Sequence, residues 1–399
     1  MSPWVGSAIP RKEDARLVTG RGGDLDDLSR PGLVHAAMLR SAHAHARIVS
    51  VDTRAALAMP GVLAVLTGAE AARISGPIRP LIPTPVPLRD FCLAVDRVRF
   101  AGEPVAAVAA VDRATAEDAI ERIAIEYEAL PAVVDPERAL APDAPLLYPE
   151  LGTNVLWHDV FTYGDVDGAF ARADGILRER FEIQRYASTP LETFGAIAEH
   201  DSGTDAYTFW TNDQRPGLTL AILAESLGVP QSRLRLVVPD VGGAFGNKRR
   251  PAYLLVCALL ARRTGRPVKW IEDRLENLAA LMHAANGVMD VELAYRDDGT
   301  VLALSVRDVT DEGKNLVSPA QHNLIKLGNI ANGYRIGALR YEPYSVSCAS
   351  RSSARWRCWR DASASIPPRC ACGTTCGPRR CRTRRRPVPG TTAATIRPR

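Results

Sequence analysis

Long apolar runs are missing from this 399-residue sequence, although 46% of its residues are hydrophobic. No 18 consecutive apolar residues occur, and the segment 1–14 carries charges where a secretory signal would be apolar. These absences argue against a membrane span and against export, so we expect a cytoplasmic protein. The length suffices for about two or three domains with hydrophobic cores of their own.

Acidic residues are almost missing from the last part of the chain. Segment 346–399 holds 13 of the 50 basic residues but only one acid, Asp361, which leaves 37 basic and 44 acidic residues in 1–345. The formal charge of +5 therefore comes from this tail, and the body carries a formal charge of −7. The body itself gives no electrostatic indication of an anionic partner.

Cysteine is equally scarce in the body, where only Cys92 and Cys257 occur. Two isolated thiols are typical of small buried residues in a reduced compartment. The tail differs, because it contains six cysteines, no Leu, no Lys, and no apolar period of 2 or 3.6 residues. Such a composition cannot bury a core, so we predict a disordered C-terminal tail.

Hydrophobic periodicity predicts a mixed α/β, or α+β, fold. Short strand-like runs alternate with Ala-rich helical runs in the N-terminal domain, placed at 1–135, where Thr115 and Asp118 are expected to cap a helix. The Pro-rich stretch 136–160 is expected to be a linker. Further strands and two helices, ending at Gly228 and Gly265, predict a second domain at 161–345. The tail occupies 346–399.

The stretch VPDVGGAFGNK, residues 238–248, places three glycines directly after the strand-like run RLRLVV. Neither a P-loop nor a G-x-G-x-x-G fingerprint fits glycines at 242, 243 and 246. A strand, a Gly-rich turn and a helix from near Arg250 would present backbone N–H groups to an anion or a cofactor. A plain strand-to-helix turn explains the same residues equally well. Serine-hydrolase, zinc-protease and paired-cysteine patterns are missing from the body.

Nine motifs in a fixed order resemble one enzyme family. They are RKEDARLVTGRG (11–22), LRSAHAHARIVSVDT (39–53), PGVLAVLTG (60–68), VRFAGEPVAAV (98–108), EYEALPAVVDPERAL (126–140), PLETFGAIAEHD (190–201), TNDQRPG (211–217), VPDVGGAFGNK (238–248) and GRPVKWIEDRLEN (265–277). Over about residues 7–345 the chain resembles the molybdopterin-binding large subunit of the xanthine dehydrogenase, aldehyde oxidase and aerobic carbon monoxide dehydrogenase family. The resemblance implies an α/β hammerhead domain followed by the first part of a molybdopterin-binding domain.

The resemblance also implies the cofactor, the partners and the site. Molybdenum would be held by the dithiolene of a pterin, in the cytosine dinucleotide form, so no side chain need ligate the metal. Gln214 would hydrogen-bond an oxo ligand of molybdenum, and Gly242, Gly243, Ala244, Phe245 and Gly246 would form the wall beside the metal, with Phe245 toward the substrate. Electrons would leave through 2Fe-2S and FAD-binding partner subunits. The chemistry would be hydroxylation of an aldehyde, an N-heterocycle or a carbon monoxide-type substrate with oxygen from water.

Several polar residues in these motifs could be taken for catalytic or metal-binding groups, but we expect structural roles for them. His43 and His45 share one face of a strand, but in this family the stretch is structural. Glu103 opens a strand, and Glu192 is expected to be structural. The family's general-base glutamate belongs to a segment far beyond the end of the resemblance, so no position of this chain is expected to carry it.

The tail has a specific interpretation. When back-translated one nucleotide out of register, 361–378 and 391–398 are compatible with family-like phrases, so we predict a frameshift product and a truncated chain without turnover of its own. The coding DNA tests this. Two alternatives stay open: a non-catalytic scaffold that still binds partner subunits or a pterin, and an Arg-rich tail that binds nucleic acid or zinc. No C-x-x-C pair and little aromatic spacing support the second.

Overall fold

The computed structural model describes residues 4–79, 89–280, 282–314 and 320–349, which all fall within one compact unit. The predictions for the tail therefore concern residues that lie almost wholly outside the described ranges.

The described strands, in chain order, are β1 (Val34–Arg40), β2 (Ala46–Asp52), β3 (Val62–Thr67), β4 (Arg97–Val98), β5 (Pro104–Ala110), β6 (Ala124–Ala129), β7 (Val155–His158), β8 (Phe161–Tyr163), β9 (Gly175–Ile183), β10 (Gly195–Asp201), β11 (Ala206–Thr211), β12 (Leu234–Val237), β13 (Val268–Ile271), β14 (Asn286–Tyr295), β15 (Val301–Asp311) and β16 (Ala338–Val346). The described helices are α1 (Asp14–Leu17), α2 (Arg54–Leu57), α3 (Gly68–Ile74), α4 (Arg113–Ile120), α5 (Val166–Ala171), α6 (Pro216–Leu227), α7 (Pro251–Thr264), α8 (Arg274–Ala280) and α9 (Gln321–Asn329).

The largest sheet joins the two halves of the chain. Its seven strands run in the order β12-β11-β10-β13-β1-β5-β3. The central contact is parallel, with Val34 of β1 opposite Val268 of β13. Strands from 1–135 and from 161–345 thus complete one another's hydrogen bonding within one sheet, and the prediction of a mixed α/β fold is confirmed.

Helices α6 and α7 pack on this sheet. Helix α7 is buried from Pro251 to Ala261 except at the partly buried Ala252, and its apolar side chains join those of α6 and the sheet in the main core. Each helix ends at a glycine in the left-handed region, Gly228 with φ +70° and Gly265 with φ +65°. Both C-terminal caps agree with the sequence prediction, because glycine adopts this conformation without a steric penalty.

A second sheet has the order β7-β16-β15-β14-β9, with β8 also pairing with β16. Segment 136–160, expected to be a linker, is packed: it supplies β7 and buries Leu147 and Tyr148. At the other end, Cys348 and Ala349 are buried too. The packed body therefore continues into the segment 346–349, because the apolar residues there cover the end of this sheet.

The small sheet β4-β2-β6 lies in the N-terminal half, where α4 packs against β1 and β5. The expected cap of α4 is wrong. Its N-cap residue is Asp112, in an extended conformation, and the Asp112 carboxylate accepts a hydrogen bond from the Thr115 N–H at 2.8 Å. Thr115 is already inside the first turn, so its side chain cannot take the cap position. None of the described helices has the length and apolar character that a bilayer crossing needs.

Candidate functional site

The segment 241–248, called here the glycine loop, connects β12 to α7. Gly243 and Gly246 have φ values of +90° and +92°, and Phe245 between them has a φ of +50°. A left-handed conformation costs a non-glycine residue about 1–2 kcal/mol. The Phe245 side chain nevertheless is 75% exposed, so no burial of its ring offsets that cost. Such strain persists only where the surroundings fix the backbone.

Glu192 fixes the glycine loop at both ends. Its Oε2 accepts hydrogen bonds from the Gly242 N–H at 2.8 Å and from Lys248 Nζ at 2.7 Å. The Lys248 side chain is fully buried, and burial lowers its pKa although Glu192 raises it. Asn247 adds a third anchor, because its Nδ2 donates to the Ser188 carbonyl. Glu192 therefore has the structural role expected from the sequence.

The glycines of the loop are required for different reasons. A Cβ on Gly242 would lie 2.6 Å from the Cβ of Glu192, so close approach to the anchor excludes a side chain there. A Cβ on Gly246 would meet no atom within 4 Å, so only the positive φ requires glycine at that position. The Phe245 ring lies over Gly243, where an added Cβ would be 2.9 Å from Phe245 Cε2. This bare backbone fits a bulky group placed against the loop.

Gln214 lies next to the glycine loop. It follows β11, and its N–H donates a hydrogen bond of 2.9 Å to the Lys248 carbonyl, while its side chain is exposed. The structure thus joins Gln214 to Lys248, the last residue of the glycine loop, and the placing of Gln214 and residues 242–246 in one site stays a prediction. The role of Gln214 toward a metal stays a prediction.

Sequence reasoning missed three arginines that border the loop, Arg215, Arg249 and Arg250. Arg249 Nε donates to the Gly246 carbonyl at 2.7 Å. Burial lowers the pKa of Arg249, and the nearby charges of Arg215 and Arg250 lower it further. The signal in the sequence is the dipeptide Arg-Pro, which occurs at the start of both α6 and α7.

A cavity of about 80 Å³ opens beside Arg250 and is lined with polar groups. Asp311 pairs there with Arg185 at 2.7 Å, and Glu312 pairs with His322 at 3.0 Å. Burial raises the pKa of both carboxyl groups. Within the described ranges no group of His, Cys, Asp and Glu side chains is arranged to hold a metal ion.

Within the described residues, the two histidines of the N-terminal motif make no hydrogen bond with the glycine loop. His45 is buried and its Nδ1 contacts the Pro131 carbonyl at 2.8 Å, while the ring of His43 packs on Tyr127 at 4.8 Å between centroids. Glu103, also buried, forms an ion pair with Lys314 at 2.6 Å. These contacts are structural, as expected.

Two family models match the chain. Residues 147–364 match the molybdopterin cofactor-binding domain, and residues 19–131 match the aldehyde oxidase and xanthine dehydrogenase a/b hammerhead domain. The carbon monoxide dehydrogenase large chain of Afipia carboxidovorans is 37% identical over 323 residues, which are 77% of this chain and 40% of that protein. The nicotinate dehydrogenase large molybdopterin subunit of Eubacterium barkeri is 31% identical, over 77% of this chain and 71% of that protein.

Solved structures show the same likeness. Quinoline 2-oxidoreductase from Pseudomonas putida 86 superposes with a TM-score of 0.81 at 37% identity, covering 86% of this chain and 44% of that chain. The chain spans about 40% of the length of the first curated relatives that it matches. Since the cofactor-binding model alone matches more than half of its residues, the chain belongs to the molybdopterin-binding large-subunit family of xanthine dehydrogenases, aldehyde oxidases and carbon monoxide dehydrogenases.

Proposed function

We propose that the glycine loop and Gln214 hold the molybdenum–molybdopterin cofactor, in its cytosine dinucleotide form. The observation that carries this proposal is the open backbone at Gly246 beside the exposed, strained Phe245. In this proposal the side-chain amide of Gln214 hydrogen-bonds the cofactor, and the main chain of 242–246 forms the wall against which it lies. Close packing of a bulky group against backbone is a usual reason for glycine in a loop.

The activity that we propose is that of a molybdenum hydroxylase large subunit. Such a subunit hydroxylates an aldehyde, an N-heterocycle or a carbon monoxide-type substrate with oxygen from water, and electrons pass to 2Fe-2S and FAD partner subunits. The bound cofactor supplies the two-electron redox chemistry. Relatives named for carbon monoxide and for nicotine support this range without selecting one substrate.

In this proposal the described residues of the site position and shield the cofactor. The ion pair of Glu192 with buried Lys248 keeps the loop in one conformation, so that the wall is formed before anything binds. In this proposal the exposed ring of Phe245 faces the substrate. We assign the general base of the reaction to no residue of this chain.

Metal and pterin content test this proposal. The purified 399-residue chain is expected to contain molybdenum and a pterin that releases cytidine monophosphate on acid hydrolysis. Gly246→Ala should lose both, because a Cβ there intrudes on the proposed wall. Gly299→Ala is the matched control, since Gly299 also has a positive φ of +85° and open space around a Cβ. Equal pterin content in the two variants would contradict the proposed site.

A further inference from the structure

Two helices of this protein begin at arginines. The N-cap residues of α6 and α7 are Arg215 and Arg250, and neither side chain caps its helix. Helix starts favour Ser, Thr, Asp or Asn at this position, and the partial positive charge of a helix N-terminus disfavours a cation. A positive side chain at both starts therefore needs an explanation other than helix stability.

The two starts meet at the glycine loop. The hydrogen bond from the Gln214 N–H to the Lys248 carbonyl joins the residue before Arg215 to the residue before Arg249. The three arginines are close enough for the charges of Arg215 and Arg250 to lower the pKa of Arg249, after the larger effect of burial. We call Arg215, Arg249 and Arg250 the arginine cluster.

The carboxylates nearest the arginine cluster are engaged elsewhere: Asp311 and Glu312, in the cavity beside Arg250, pair with Arg185 and His322. Asp213 is the carboxylate that acts on Arg249, but its Oδ1 accepts from the Arg215 main-chain N–H at 2.6 Å and its Oδ2 accepts from the Thr219 hydroxyl at 3.0 Å. Among the described residues, none of the three guanidinium groups pairs with a carboxylate within 4.0 Å. The Nε atoms of Arg215 and Arg250 are buried and have no hydrogen-bond partner in the described part of the chain.

We propose that Arg215, Arg249 and Arg250 form an oxyanion site beside the glycine loop, which takes the carboxylate of a small planar organic substrate. Guanidinium groups bind carboxylates through parallel N–H donors, and such charge-assisted hydrogen bonds are about twice as strong as neutral ones. The inference rests on the proposed function, because it names the substrate class of that same site.

A carboxylate-bearing ring fits better than a bare phosphate. Arg249 donates to Gly246, and Gly246 directly follows Phe245, whose ring is exposed. The residue that bears this exposed apolar ring thus directly precedes the glycine whose carbonyl Arg249 binds. A molecule with a ring and a carboxylate satisfies both features, whereas inorganic phosphate satisfies only the second.

Calorimetric titration of the full-length chain with benzoate tests the inference without any need for turnover. Benzamide serves as the neutral ligand of the same shape. Arg215→Gln and Arg249→Gln should each weaken benzoate binding about tenfold or more, the loss expected for a charged hydrogen bond. Arg122→Gln removes the same charge from an exposed position of the N-terminal half and should leave binding unchanged. Arg249→Lys should fold but bind benzoate weakly, because lysine keeps the positive charge and lacks the planar, forked set of N–H donors of a guanidinium group.

Competition between ligands distinguishes a substrate carboxylate from a cofactor phosphate as the anion that binds this site. Benzoate binding that benzamide does not reproduce, and that phosphate displaces only weakly, supports the carboxylate site. Preferential binding of phosphate or pyrophosphate would overturn it in favour of a cofactor phosphate, and binding insensitive to the arginine variants would overturn it outright. Molybdenum and pterin content, measured on the same samples, reports on the proposed function independently. If the chain contains pterin but does not bind benzoate, this inference is wrong and the proposed function is unaffected.

Discussion

The glycine loop and the hairpin turn at 296–300 both need glycine at positive φ, yet they are held in different ways. In the hairpin turn, Arg296 and Thr300 pair across the turn, and the Gly299 N–H donates to the Arg296 carbonyl at 2.8 Å. All five residues are exposed. The glycine loop instead depends on Glu192, which lies 50 and 56 positions away from the residues that it binds.

This difference separates a turn made by its own sequence from a turn imposed by the fold. The hairpin turn connects two long paired strands, so its geometry follows from local chemistry. The glycine loop contains a phenylalanine in a conformation that its own sequence disfavours, and tertiary hydrogen bonds maintain it. A loop of the second kind is suited to hold a fixed surface toward a ligand, because its shape does not depend on the ligand.

Removal of the distant anchor should have the largest effect. Glu192→Ala leaves the charge of fully buried Lys248 unpaired, and loss of one partner of a buried ion pair costs roughly 3–5 kcal/mol. Glu128→Ala removes the partner of Arg47 in an exposed pair and should cost about 1 kcal/mol or less. Urea denaturation measures both free energies of unfolding.

The double variant Glu192→Gln with Lys248→Met sharpens the same comparison. An uncharged pair of similar volume should restore most of the stability, because replacing a buried ion pair by apolar groups is often close to neutral. If Glu192→Ala proves no more harmful than Glu128→Ala, the glycine loop is not held from a distance and the contrast with the hairpin turn disappears.

Sequence reasoning found the hairpin strands, both long helices and the residues of the glycine loop, because each has a local signal. Alternating apolar residues mark β14 and β15, and glycines mark the ends of α6 and α7. Contacts with no local signal were out of reach. The pairing of Glu192 with Lys248 and the continuity of β1 with β13 depend on residues brought together only by the fold.

The arginine cluster is an intermediate case between local and distant signals. Each Arg-Pro dipeptide is visible in the sequence, and Pro is a known first residue of helices. What the sequence does not show is that two such helix starts meet at one loop. That meeting follows from the hydrogen bond between Gln214 and Lys248.

The segment that carries the Glu192 anchor and the hairpin turn should respond to pH in opposite directions. Burial raises the pKa of Glu272 to about 7, and its carboxyl group accepts a hydrogen bond of 3.4 Å from the Phe194 N–H, in the segment that carries Glu192. The stability linked to Glu272 is present below its ordinary pKa of 4.5 and is lost as pH rises through about 7. In the hairpin turn the Thr300 side chain lowers the pKa of Asp298, so that its contribution is present above the ordinary 3.8 and is lost as pH falls further.

Thermal unfolding measures both effects when it is followed between pH 3 and 8, which is roughly the range where these groups titrate. Glu272→Gln should remove a decline of about 1 kcal/mol per pH unit between pH 4.5 and 7. Asp298→Asn should alter the profile only on its acidic side. A wild-type profile that Glu272→Gln leaves unchanged would show that this carboxyl group titrates normally.

The smallest effect should come from the strained residue itself, and its sign is the informative part. Phe245→Gly removes an exposed ring and relieves a left-handed backbone, so we expect the free energy of unfolding to rise by about 0.5 kcal/mol. Phe181→Gly in β9 removes a ring that is 52% exposed from an ordinary strand and should lower the free energy of unfolding by about 1 kcal/mol. Opposite signs for two substitutions of the same kind indicate that position 245 keeps phenylalanine at the expense of stability, which is expected when the ring faces a substrate. Equal losses at both positions would instead mean that the ring of Phe245 stabilises the folded loop, and its proposed place on the substrate side would have to be given up.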